Sequence, residues 1–118
     1  MNPPPDRPVA LTRAQVRILV ALAEGERHGY AIMREVETQT GGRMKLGPGT
    51  LYGAIKTLLE AKFIVETESK IDPEVDDERR RYYKLTDLGR RVLGAEMRSL
   101  ADLVQLGRER RVFAPAAH

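Results

Sequence analysis

The chain has 118 residues, one domain by length, and its 42% apolar and 31% charged residues are the balance of a folded globular protein rather than a disordered one. It has no cysteine, which excludes a disulfide scaffold, a thiolate nucleophile and a Cys-ligated zinc site. The net charge of +3 is compatible with a nucleic-acid partner; no run of about 18 apolar residues could span a bilayer, and Met1-Asn2-Pro3-Pro4-Pro5 lacks a signal-peptide layout, so a cytoplasmic location is expected.

Residues 1–10 read as a disordered, proline-rich arm, because proline repeats too often there for a helix. Thr12 with Gln15 three residues on is a capping-box pattern. Val16, Leu19, Val20, Leu22 and Ala23 then give a helical apolar face that Gly25 ends. A second helix is expected from Gly29 to Thr40, stopped by Gly41-Gly42. Lys45-Leu46 reads as a short extended piece. A third helix spans Pro48 to Ala61, with Leu51, Ile55, Leu58 and Leu59 facing inward.

A β-hairpin follows: one strand from Phe63 to Ser69, a second from Arg80 to Leu85, with a polar loop opening at Asp72-Pro73. Thr86 caps a last helix with Asp87 in its first turn, where a carboxylate suits the helix dipole. That helix runs to about Arg111 with a weak point at Gly94, and 112–118 reads as a frayed tail. The fold class is therefore mainly α with a small β-wing: a winged helix-turn-helix over 11–85, followed by one long C-terminal helix over 86–111.

Catalysis finds little support. His28 and His118 are the two histidines, and no histidine or carboxylate pair has metal-ligand spacing. Gly47-Pro48-Gly49 is not followed by the Lys-Ser/Thr of a phosphate loop. His28, beside a glycine at a helix start, reads as a cap or core contact. No enzyme activity, metal or cofactor is expected.

Binding to double-stranded DNA fits better. Small residues at the start of the third helix let its N-terminus approach a phosphate closely. Gly49, Thr50, Tyr52 and Lys56 share one thin outer face, with Gly53 between them and Lys45 just before. Residues 79–84 carry Arg79, Arg80, Arg81 and Lys84 with no acid, whereas 64–78 hold Glu66, Glu68, Asp72, Glu74, Asp76, Asp77 and Glu78 against Lys70 alone. The basic base of the wing suits phosphate contacts; the acidic tip should point away. In the competing reading, the arginines only neutralise that loop.

On the last helix, Leu85, Leu88 and Val92 form a stripe toward the winged domain. Leu93, Met97, Leu100 and Val104, widened by Leu103 and Leu106, form a seam for a partner helix. A homodimer is the expected arrangement; the alternative is a helix folded back on its own subunit.

The sequence resembles the PadR family of transcriptional regulators from Leu11 to Leu106. The segments that carry the resemblance are His28-Gly29-Tyr30-Ala31-Ile32, Gly47-Pro48-Gly49-Thr50-Leu51-Tyr52, Leu58-Leu59-Glu60 and Arg81-Tyr82-Tyr83-Lys84-Leu85-Thr86-Asp87-Leu88-Gly89. The resemblance implies a dimeric repressor of detoxification, efflux or stress genes, often relieved by a small aromatic or hydrophobic ligand. It also implies that Gly49 to Tyr52 begin the DNA-reading helix and that Tyr82 to Thr86 close the wing. The wing loop is longer and more acidic than is common in the family. Leu100 stands where some compact relatives carry a drug-stacking tryptophan. The runner-up reading is a winged-helix protein-interaction module, which should expose apolar residues on the outer face of the third helix.

Overall fold

The computed structural model describes residues 10–68 and 81–113. All but the last residue of the expected 1–10 arm, the expected acidic loop with Arg79 and Arg80, and 114–118 of the expected tail lie outside the described residues. Helix α1 (Arg13–Ala23) opens on the anticipated capping box: the Thr12 hydroxyl accepts from Gln15 N at 3.1 Å, and the Gln15 side chain accepts from Thr12 N at 2.8 Å. Cations satisfy its C-terminal carbonyls, Arg27 Nε donating to Ala21 O at 2.9 Å and Arg90 to Ala23 O at 3.3 Å.

Strand β1 (Arg27–His28) leads directly into α2 (Gly29–Gln39), and α3 (Pro48–Glu60) follows after a glycine turn. Gly41 at φ 61° and Gly42 at φ 84° adopt the left-handed backbone that ends α2. Then come β2 (Ile64–Glu68), β3 (Arg81–Leu85) and α4 (Asp87–Glu109). The sheet is antiparallel in the order β1-β3-β2, with Ile64 opposite Leu85 and His28 opposite Tyr82.

The third strand is therefore not at Lys45-Leu46, as the sequence suggests. Leu46 is buried in the core, and the buried Thr40 hydroxyl takes the Met44 amide at 2.9 Å, so this segment does not extend into a ladder. Arg27–His28 covers the open edge of β3 instead.

The core gathers Ile18, Leu19 and Leu22 of α1, Ile32 and Val36 of α2, Leu51, Ile55 and Leu58 of α3, Ile64 of β2 and Tyr83 of β3. Helix α4 contributes Leu93. Its start is fixed by Thr86, whose hydroxyl accepts from Gly89 N at 2.9 Å and donates to Lys62 O at 2.7 Å, while its amide donates to Phe63 O at 3.1 Å. Gly89 lies against the Phe63 carbonyl so tightly that an added Cβ would overlap its oxygen. Helix α4 runs unbroken through Gly94, the anticipated weak point. After it, the chain reverses at Arg111 (φ 56°) and lays the Phe113 ring against Gly107, so the first residues of the expected frayed tail form a turn.

Two glycines give opposite predictions. Gly89→Ala forces a backbone carbonyl aside and should cost about 1–3 kcal/mol. Gly53→Ala enters open space in mid-helix and should gain about 0.5–1 kcal/mol from helix propensity. Chemical denaturation of both variants reads the two signs; a neutral Gly89→Ala would show that the close approach is not a constraint.

Candidate nucleic-acid interface

Helix α3 is pinned by its inner face, since Leu51, Ile55 and Leu58 are almost fully buried. Burying such side chains contributes roughly 1.5–3 kcal/mol each, which fixes the rotation of the helix about its axis. Thr50, Tyr52, Gly53, Lys56 and Thr57 are consequently exposed, and Gly49 and Lys45 are exposed at the approach to the helix. Gly47 is the N-cap and makes no side-chain cap, and Pro48 occupies the first turn. The Thr57 hydroxyl donates back to Gly53 O at 3.2 Å.

The outer face thus combines small residues, hydroxyls and one lysine around a helix N-terminus whose dipole favours an anion. Apart from the Tyr52 ring, it carries no apolar side chain larger than that of threonine, unlike the apolar face expected of a protein-docking helix.

Tyr52 is more constrained than its position suggests. It is 36% exposed, but its hydroxyl lies over Gly29, 2.5 Å from where a Cβ there would sit. The ring therefore braces α3 against the start of α2.

On the wing, Arg81 and Lys84 are exposed, while Tyr83 is buried and Tyr82 half-buried. Arg81 Nε is 3.2 Å from Glu66 Oε1 on the paired strand β2. Lys45 Nζ is 3.7 Å from Glu37 Oε1 at the end of α2. Both pairs are solvent-exposed and weak, so each cation can exchange its carboxylate for a stronger anion. Lys56 and Lys84 have no ion-pair partner among the described residues. Of the nine residues expected to face nucleic acid, Lys45, Gly49, Thr50, Tyr52, Lys56, Arg81 and Lys84 are described and exposed; Arg79 and Arg80 lie outside the described residues.

Sequence reasoning anticipated the His28 cap but not the ring contacts around it or the pairing of Arg81 with Glu66. His28 caps α2, its Nδ1 accepting from Ala31 N at 3.1 Å, and meets Tyr82 edge-on. Tyr30, 57% exposed, stacks with His28 and lies under Arg34. Glu66 engages Arg81. The contact of His28 with Tyr82 follows from the pairing of β1 with β3, a two-residue ladder too short to leave a periodic signal.

Away from this face, α4 divides in two. Val92, Leu93 and Ala95 are buried on their own subunit. Leu93, expected on the partner seam, is 7% exposed and belongs to the monomer core, because the stripe crosses from one surface to the other within a turn of Met97. Met97, Leu100, Leu103, Val104 and Leu106 remain exposed, Leu103 to 63%. A half-open groove of about 630 Å³ lies between α1 and this half of α4. Leu11, Val16, Val20, Met44, Met97 and Leu100 line it, with Arg13, Arg17, Arg43 and Glu96 alongside.

Comparison with known proteins bears on this arrangement. Residues 18–95 match the transcriptional regulator PadR-like family. An uncharacterized 37.1 kDa protein in transposon TN4556 of Streptomyces fradiae is 44% identical over 90 residues, 76% of this chain. The chain spans 24% of that relative's length. A PadR family transcription regulator from Clostridium difficile R20291 superposes with a TM-score of 0.69 at 21% identity, over 83% of this chain and 97% of that one. Bacillus subtilis PadR, solved in complex with operator DNA, superposes with a TM-score of 0.60 at 24% identity, over 72% of this chain and 46% of that one.

Proposed function

The chain belongs to the PadR-like family of transcriptional regulators, and we propose that it is a homodimeric repressor that binds an inverted-repeat operator in duplex DNA. The observation that carries the reading is the outer face of α3: small, hydroxylated and cationic, and held outward by a fully buried inner face. Thr50 and Lys56 are assigned to base edges in the major groove, and Gly49 permits close approach of the helix N-terminus. Lys45, Arg81 and Lys84, together with Arg79 and Arg80, are assigned to phosphates. In the Bacillus subtilis protein the same fold is seen with operator DNA.

Dimerisation is assigned to the exposed half of α4. Met97, Leu100, Leu103 and Val104 leave an apolar stripe that one subunit does not cover. A two-fold pairing of such helices presents two copies of α3 to successive turns of a duplex. The proposed effector is a small hydrophobic molecule, and the groove beside Met97 and Leu100 has the size and apolar lining of a ligand site. The protein-interaction alternative gains little support, since the large apolar side chain exposed on the outer face of α3 is Tyr52 alone, and its ring is braced over Gly29.

Two predictions follow directly from these assignments. Lys56→Ala should weaken binding to the chain's own upstream DNA and lower the slope of log affinity against log salt by about 1; fluorescence anisotropy across a salt series measures it, and an unchanged slope removes Lys56 from the interface. Leu103→Glu should convert a dimer to a monomer in light scattering with an unchanged circular dichroism spectrum, because the side chain is already exposed in one subunit. A parent protein that is monomeric at micromolar concentration contradicts the α4 assignment.

A further inference from the structure

Residues 28–30 bring together parts of three elements. His28 lies in β1 opposite Tyr82 of β3, and the two rings meet edge to face, 5.4 Å apart at 89°. On its other side His28 stacks with Tyr30 at 6.4 Å and 22°, and the Arg34 guanidinium lies 5.9 Å over the Tyr30 ring. The imidazole cannot turn freely, because its Nδ1 accepts the Ala31 amide at 3.1 Å as the N-cap of α2. The next residue, Gly29, is buried beneath the Tyr52 hydroxyl of α3. The first turn of α2 therefore grips the wing through His28 and the reading helix through Gly29.

We propose that His28 is a positioning residue for DNA binding: through its ring contact with Tyr82 it sets the wing relative to α3, without touching DNA itself. The inference rests on the DNA-binding reading above. Strand β1 is two residues long, and a ladder that short does not hold a strand alone; the ring contact adds the lateral constraint that the ladder lacks. Tyr82 shares a strand face with Lys84, two residues on, so the placement of β3 at Tyr82 carries the Lys84 backbone with it. Because α3 is braced on the adjacent residue, a displacement of His28 changes the spacing between the Lys84 ammonium and the outer face of α3. The two jobs of the imidazole are separable. Its cap stabilises α2, and its ring orients the wing.

The experiment uses the full-length protein, His28→Asn, His28→Phe and Tyr82→Leu, with a duplex from the region upstream of the chain's own gene. Asparagine keeps an N-cap oxygen and loses the ring; phenylalanine keeps a ring and loses the cap. His28→Asn should hold its thermal midpoint near that of the parent, bind the duplex about 5-fold more weakly, and show a shallower salt slope as a wing cation leaves its phosphate. His28→Phe should lose thermal stability while keeping the parental slope. Tyr82→Leu should mimic His28→Asn, and the double variant should bind no more weakly than either single, since both remove one contact. Parental affinity and slope in folded His28→Asn and Tyr82→Leu overturn the positioning role alone, as does an additive loss in the double variant. A parent that ignores duplex DNA at low ionic strength overturns the DNA reading and the positioning role with it.

Discussion

The buried inner face of α3 is the constraint on which the rest depends. Leu51, Ile55 and Leu58 enter the same core as Ile18, Leu22 and Ile32, and three side chains at helical spacing leave the helix one rotational setting. The polar residues between them have no alternative but to face solvent. The outer surface is thus a consequence of core packing: its chemistry is chosen by Thr50, Gly53 and Lys56, but its direction is chosen by leucine and isoleucine. The same logic explains the tolerance for glycine at positions 49 and 53, where nothing lies within 4 Å of an added Cβ. Those glycines keep the surface low and do not serve packing.

Much of this was legible in the sequence, because periodicity and capping are local. The Thr12–Gln15 box, the Gly41-Gly42 stop, the Thr86 cap and the inward face of α3 all depend on residues within a turn or two of each other. What was not legible is long-range. The edge strand at Arg27–His28 is defined by β3, more than fifty residues away, and two residues carry no alternation to read. Lys45-Leu46 imitates a strand locally, yet the Thr40 hydroxyl and the core claim it first. Leu93 imitates the first position of a seam, because the pattern does not reveal where one helix passes from its own core to open surface. Tyr52 reads as part of the outer face alone, and only the close approach of Gly29 shows that its ring also packs within the protein.

The electrostatics of the candidate site are built from exchangeable pairs. Lys45 with Glu37 and Arg81 with Glu66 are exposed contacts of 3.7 and 3.2 Å, and pairs of that kind contribute little to stability. They keep each cation near a carboxylate without committing it. A phosphate, which carries its charge into the same position with more acceptor oxygens, displaces a solvated carboxylate at small cost. Such a surface is cationic enough to attract a polyanion, yet partly compensated at Lys45 and Arg81 when alone, which suits a chain whose total charge is only +3.

Helix α4 links the two ends of the molecule mechanically. Its first turn is locked to the junction of α3 and β2 by the Thr86 hydroxyl on Lys62 O, the Thr86 amide on Phe63 O and the contact of Gly89 with that carbonyl. Its middle is buried through Val92, Leu93 and Ala95, and its far half is exposed. No break occurs at Gly94, so one continuous helix joins the buried and the exposed halves. Its Lys62–Phe63 anchor follows directly on the end of α3, and packed interfaces shift between discrete arrangements rather than deforming continuously. A rotation imposed on the exposed half therefore reaches the residues that set the exit of α3 and the start of the wing. The groove between α1 and α4 lies at the middle of that lever, lined there by Met97 and Leu100. The effector proposed above, if held there, would need no contact with α3 to alter its setting; it would need only a different affinity for two positions of one helix.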